Sequence, residues 1–199
     1  MEPNTASSGR PAEPVLRRDA AANRERVLAA ATAVIKREGT RVPLGVVAAE
    51  AGVGVATLYR RYPTREALLA ALTTRSFELV LATAIECADT PGRGIDAIRA
   101  FLLRTIAHRD QLVLPLHGGP AELDDTMRAL QVSIRGALEK IVARGQADGS
   151  IRRDAGAFDI VIMGAMLAQP LAHVPDWEVI ARRQMDVYLD GLAACPDLT

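Results

Sequence analysis

Between positions 55 and 65 the chain gathers side chains suited to gripping a polyanion. Tyr59, Arg60, Arg61, Tyr62 and Arg65 place three guanidinium groups and two phenols within seven residues. These are donors for phosphate oxygens, and Arg60 can equally serve a base edge. Just ahead of them, Val55, Ala56 and Thr57 are small enough for a close approach to base edges, with thymine methyls the natural apolar contact. Other chemistries find no such gathering. The histidines His108, His117 and His173 stand in no metal-ligating spacing, and no Gly-x-Ser-x-Gly, dinucleotide or P-loop motif occurs. Asp124 and Asp125 read as the acidic start of a helix. The sequence therefore predicts no catalytic site, metal or cofactor.

Donors of this kind work only if a rigid frame presents them, and the flanking residues supply one. Leu44, Val47, Ala48 and Ala51 recur at i, i+3, i+4 and i+7, an apolar stripe on a helix of about two turns. Gly52 follows, where a helix end favours left-handed dihedrals. Gly54 takes the N-cap of a second short helix striped by Val55, Leu58, Tyr59 and Tyr62, which Pro63 ends. Thr64 caps a third, opened by Arg65 and Glu66. Helix, tight turn, helix is the layout of a major-groove reader.

At this point the chain closely resembles the tetracycline-repressor (TetR) family of transcriptional regulators. Ala51-Gly52-Val53, Thr57-Leu58-Tyr59, the aromatic Tyr62, basic Arg65 and Leu68 follow its A-G-V-S-x-x-T-L-Y-x-H-F-x-x-K-x-x-L pattern. Three positions depart from it: Gly54 stands for the usual Ser, Arg61 for His and Arg65 for Lys. Glycine caps only a few tenths of a kcal/mol worse than serine on average, and both arginines keep a phosphate donor. Pro43 likewise replaces the common Ser or Thr cap of the preceding helix.

The rest of the chain is read as helical throughout. Residues 1–18 are rich in Pro, Ser, Ala and Gly and are expected to form a disordered tail. A first helix, capped at Asp19 or Asn23, runs to Glu38 with Val27, Leu28, Ala31, Val34 and Ile35 inward. A fourth, from Arg65 to near Cys87, connects the front module to the body, so the domain boundary near 79/80 falls inside a helix. Beyond Thr90-Pro91-Gly92, helices are expected over 95–109, 121–147, 154–171 and from Asp176 onward. The fold is thus all-α: a helix-turn-helix module over 19–79 and a helical bundle over 80–199.

Composition agrees with two modules of different character. Hydrophobic residues make up 49% and aromatics only 4%, which suits aliphatic helix packing. The net charge is zero, yet residues 1–65 hold eleven Lys/Arg against six Asp/Glu. The front is therefore +5 and the remainder −5, as expected of a DNA module on a non-DNA body. Two cysteines, Cys87 and Cys195, fit no redox or metal spacing. The longest apolar run, Ile160 to Ala168, is too short to cross a bilayer, so no membrane span is predicted, and no signal peptide is read at the start.

The resemblance implies more than the residues alone establish. It implies a cytoplasmic homodimer bound to a pseudo-palindromic double-stranded operator, acting as a repressor that a small molecule releases. The pocket would lie in the bundle, where Phe101, Leu102, Ile106, Met127, Leu130, Ile134, Met163 and Met166 present apolar faces. Its polar members would be His117 and Gln169, which favours a mainly hydrophobic effector. The last two helices would pair between subunits through small Gly164 and Ala168, with Trp177 and Tyr188 alongside.

Overall fold

The computed structural model describes residues 13–115, 119, 120, 122–171 and 174–194. Among them are eight α-helices and no strand beyond an isolated bridge between Ile151 and Ala193. The helices are α1 (Glu13–Glu38), α2 (Leu44–Glu50), α3 (Val55–Arg61), α4 (Arg65–Asp89), α5 (Gly94–Ala107), α6 (Asp125–Ala147), α7 (Ala157–Leu167) and α8 (Trp177–Leu192), with a 3₁₀ turn at Arg109–Gln111. His117, His173 and Cys195 lie outside the described residues, as do positions 1–12 of the expected tail.

Several of the expected boundaries move, and α6 starts at Asp125 rather than at 121. The first helix begins at Glu13, so residues 13–18 are helical rather than part of a tail. Pro14 permits this, because the amide it lacks has no acceptor in a first turn. The seventh helix starts late, at Ala157, with the Asp159 carboxylate accepting from the Gly156 N–H at 2.8 Å. It ends at Leu167, ahead of Pro170.

Two hydrophobic cores share the long helix α4. The front core holds Val27, Leu28, Val34, Val47, Leu58, Leu68 and Leu72. The body core begins at Phe77 and continues through α5–α8. The change of core thus falls between Leu72 and Phe77, in mid-helix. By length and apolarity α4 could cross a membrane, which corrects the expectation that no such span exists. Here it is instead a central packing element, burying Leu68, Leu72, Phe77, Ala84 and Cys87. Burial raises the Cys87 thiol above the ordinary cysteine range. The Arg144 guanidinium from α6 donates to the carbonyls of Ala88 and Thr90, at 3.1 and 3.0 Å, and so satisfies the end of α4.

Helix α5 meets α6 at a glycine pair. A Cβ on Gly94 would lie 2.3 Å from the Gly145 Cα, a backbone atom that cannot swing aside. The Asp148 carboxylate accepts from the Gly94 N–H at 2.8 Å and fixes the crossing. Gly94→Ala is accordingly expected to cost about 1–3 kcal/mol by overpacking. Urea unfolding reads this directly, and an unchanged midpoint would contradict the close crossing.

The segment after α5 ties body to front. Val113 inserts into the front core, while its neighbours Leu112 and Leu114 belong to the body core. On α4, the Thr73 hydroxyl donates to the Val113 carbonyl at 2.9 Å, and the Val113 N–H donates to the Ser76 hydroxyl at 2.9 Å. Lys36 of α1 donates to the Arg109 carbonyl, and the Arg109 guanidinium pairs with Glu178 of α8 at 3.1 Å. The covalent route through α4 is therefore doubled by a non-covalent one.

Candidate nucleic-acid interface and apolar cavity

Gly52 has φ +64, a left-handed value that a side chain would strain. Its N–H donates to Ala49 O at 3.1 Å, and Val53 N–H to Ala48 O at 3.0 Å, the paired bonds of a Schellman close. Gly54 then sits extended at the N-cap of α3, with no side-chain cap. Leu58, 2% exposed, anchors α3 to the front core. The residues around that anchor, Val55, Ala56, Thr57, Tyr59, Arg60 and Arg61, are exposed. None of the last three forms a hydrogen bond or ion pair with a described residue, so two guanidinium groups and a phenol stand ready for an external anion.

Two expected phosphate donors are placed differently. Tyr62 is only 5% exposed and its hydroxyl, buried, has no partner among the described residues. It stands four residues after the Leu58 anchor, on the same face of α3, and that spacing carries the ring inward rather than along the exposed face. It lines a cleft of about 330 Å³ with Asn23 and Arg24 of α1 and Arg60 and Arg61 of α3. Arg65 is already engaged: its guanidinium donates to Arg41 O at 2.9 Å and clamps the start of α4 to the α1–α2 loop. The Thr64 hydroxyl accepts from the Ala67 N–H at 3.1 Å and completes that end. The Glu66 carboxyl there is held below its usual range by its own backbone N–H and by the Thr64 hydroxyl.

Tyr62→Phe should therefore leave operator affinity unchanged. It should also leave stability equal or raise it by about 1 kcal/mol, since a buried hydroxyl without a partner carries a desolvation cost. A thermal melt and a binding titration read the two effects separately, and a fall in DNA affinity would restore Tyr62 to the phosphate contacts.

Within the body, a cavity of about 250 Å³ opens between α4, α5, α6 and α7. Phe77 and Val80 line it from α4, Phe101 and Thr105 from α5, and Phe158 and Val161 from α7. Gln131, Ile134 and Arg135 close it from α6, and Leu114 and Pro115 from the connecting segment. Of the ten residues expected here, Phe101 and Ile134 do line it. Leu102, Ile106 and Met127 do not: they are at most 1% exposed, consumed by helix–helix packing. Leu130 packs half-buried against the body core without reaching the cavity. Met163, Met166 and Gln169 face a separate open groove of about 520 Å³ between α7 and α8. Phe77, Val80, Gln131, Arg135 and Phe158 were missed; the chain's scarcity of aromatics was the available signal.

The small residues expected at a subunit contact turn inward as well. A Cβ on Gly164 would lie 3.6 Å from both Phe101 and Leu102, and Ala168 is fully buried. Trp177 and Tyr188 line the α7–α8 groove, half-buried. The indole of Trp177 donates to Leu167 O at 2.9 Å, ending α7. Burial, with the Asp159 carboxylate adding to it, pushes the Tyr188 phenol up to about 12, so it is neutral near pH 7. What α7 and α8 expose instead are Phe158, Ile162, Met166, Val179 and Val187. Among the described residues no group of three or more His, Cys, Asp or Glu is placed to hold a metal ion.

Comparison with known proteins follows the same division. Residues 27–72 match the family model described as bacterial regulatory proteins, tetR family. Residues 96–194 match the C-terminal domain of SbtR-like transcriptional regulators. A crystal structure of a TetR transcriptional regulator from Streptomyces coelicolor is 32% identical, covering 87% of this chain and 99% of its own, with a TM-score of 0.60. A second, from Mycobacterium vanbaalenii, is 24% identical over 90% of this chain and 99% of its own, with a TM-score of 0.61. A tetR-family regulator from Rhodococcus RHA1 is 22% identical over 88% and 98%, at 0.63. No curated protein sequence matches the chain. The paired domain matches and the close relative from Streptomyces coelicolor place this chain in the TetR family of DNA-binding transcriptional regulators.

Proposed function

We propose that the chain is a homodimeric repressor that reads a pseudo-palindromic operator through α3 and is released by a small, mainly hydrophobic molecule. The observation that carries this reading is the cavity's position. It touches α4 at Phe77 and Val80, five and eight residues beyond the last front-core contact, Leu72. It also touches Leu114, next to the Val113 that sits in the front core. A molecule seated there presses on both connections to the DNA module. A ligand releases DNA only through its preference for the non-DNA conformation, and the coupling is reciprocal. The exposed apolar residues of α7 and α8 support pairing of two subunits, since a patch of this kind on a water-soluble body usually marks a contact surface.

The test is a footprint on DNA flanking the protein's own gene, repeated with candidate metabolites. Val161→Trp, which fills the cavity, should abolish release while leaving operator affinity nearly intact. The wild-type response should be about 5–150-fold in affinity, the range of ordinary allosteric coupling. Release that persists in Val161→Trp would place the effector elsewhere.

A further inference from the structure

All three phenylalanines of the chain line the one cavity just described. Aromatic residues are only 4% of the sequence, yet Phe77, Phe101 and Phe158 converge on it from α4, α5 and α7. Phe77 and Phe101 are buried, while Phe158 is 60% exposed at the opening. An aromatic wall of this kind prefers a flat ring, which it can meet edge-to-face or offset. The volume, about 250 Å³, lies at the small end for ligand sites. One or two rings fill it.

The wall also discriminates by what it lacks. Thr105 is its buried hydroxyl, and that proton is already given to Phe101 O at 2.9 Å. A polyhydroxy ligand would thus lose its water without replacement. At the rim, one turn apart on α6, stand Gln131 and Arg135. Arg135 has no hydrogen bond or ion pair with any described residue, although the body around it carries a net negative charge. An arginine left without a carboxylate beside an apolar cavity repels a cationic ligand and favours an anionic one, and its planar fork matches a carboxylate.

We infer that the effector is a small aryl carboxylate whose ring lies among Phe77, Phe101 and Phe158 and whose carboxylate pairs with Arg135. This rests on the effector reading proposed above and narrows it to a ligand class.

Calorimetric titration of the full-length protein separates the two ideas. The probes are 3-phenylpropanoate, its neutral amide and indole, against wild type, Arg135→Gln, Arg135→Lys and Val161→Trp. The acid should bind about tenfold or more tighter than the amide, as a charged hydrogen bond at a partly wet site allows. Arg135→Gln should erase that difference by weakening the acid alone, and Arg135→Lys should keep part of it. Equal binding of acid and amide, or a preference that survives Arg135→Gln, overturns the carboxylate assignment. If indole then still binds wild type and not Val161→Trp, the cavity reading stands without it. If no aromatic probe binds, or all bind Val161→Trp as well as wild type, both readings fall.

Discussion

Met166→Asp combined with Val187→Asp is expected to yield a monomer that keeps its helical content and loses operator affinity by about 10²–10⁴-fold. The size of the loss follows from linkage: a dimer presents two recognition helices to two half-sites, so its second contact is effectively intramolecular. Both residues are more than half exposed on the single subunit, so neither substitution removes a core contact there. A carboxylate forced into an apolar subunit contact, by contrast, is an unpaired buried charge. Gly164→Trp is the wrong probe for this question. Gly164 faces Phe101 and Leu102 inside the subunit, and a large side chain there reports on folding. Sedimentation of the wild type at micromolar concentration decides the matter first. A monomer there, or a double variant that remains dimeric, overturns the pairing through α7 and α8.

That correction shows where the sequence was legible. The helix-turn-helix could be read residue by residue because its signals are local. Gly52 at a left-handed position, Gly54 opening α3 and Thr64 capping α4 each report their own backbone. The facing of α7 could not be read, because Ala157–Leu167 is apolar nearly all round and carries no polar stripe to fix its rotation. Small residues let helices approach closely whether the neighbour belongs to the same subunit or to another. The cavity failed for a related reason. A 3.6-residue stripe says which residues face inward, and Leu102, Ile106 and Met127 do. Whether an inward residue meets a neighbour or a void depends on how four helices cross, which no single periodicity encodes. Tyr62, by contrast, was readable: it follows Leu58 by four residues on the same apolar stripe, and that spacing places it on the core face.

The doubled connection between body and front is the route by which the proposed effector would act on the distant α3. Around α1, Lys36 holds the Arg109 carbonyl and Glu25 pairs with Arg75 of α4. The α8 carboxylate of Glu178 sits between Arg109 and Arg182 and is kept ionised by both, Arg182 foremost. A shift in the 109–115 segment therefore moves contacts on α1, α4 and α8 together. Exposed ion pairs alone are worth little. The insertion of Val113 between the two layers is the contact with substantial burial behind it.

The recognition helix itself carries the second large effect. Tyr59→Ala with Arg61→Ala should weaken binding to every DNA sequence about equally and lower the slope of log affinity against log salt by about one unit for each lost phosphate contact. Both side chains are exposed and neither has a partner among the described residues, so removing them should leave the melting temperature near the wild-type value. Arg60→Ala separates reading from gripping. It lies next to Arg61 on a helix of seven residues, about 100° away around the axis. The two therefore leave the helix in different directions. If Arg60 meets a base edge, its loss costs about 1–3 kcal/mol at one operator position and little elsewhere. If it meets a phosphate, the cost is uniform and the salt slope drops once more. Operator affinity unchanged in the Tyr59, Arg61 double variant would remove α3 from the backbone contacts and the proposed docking with it.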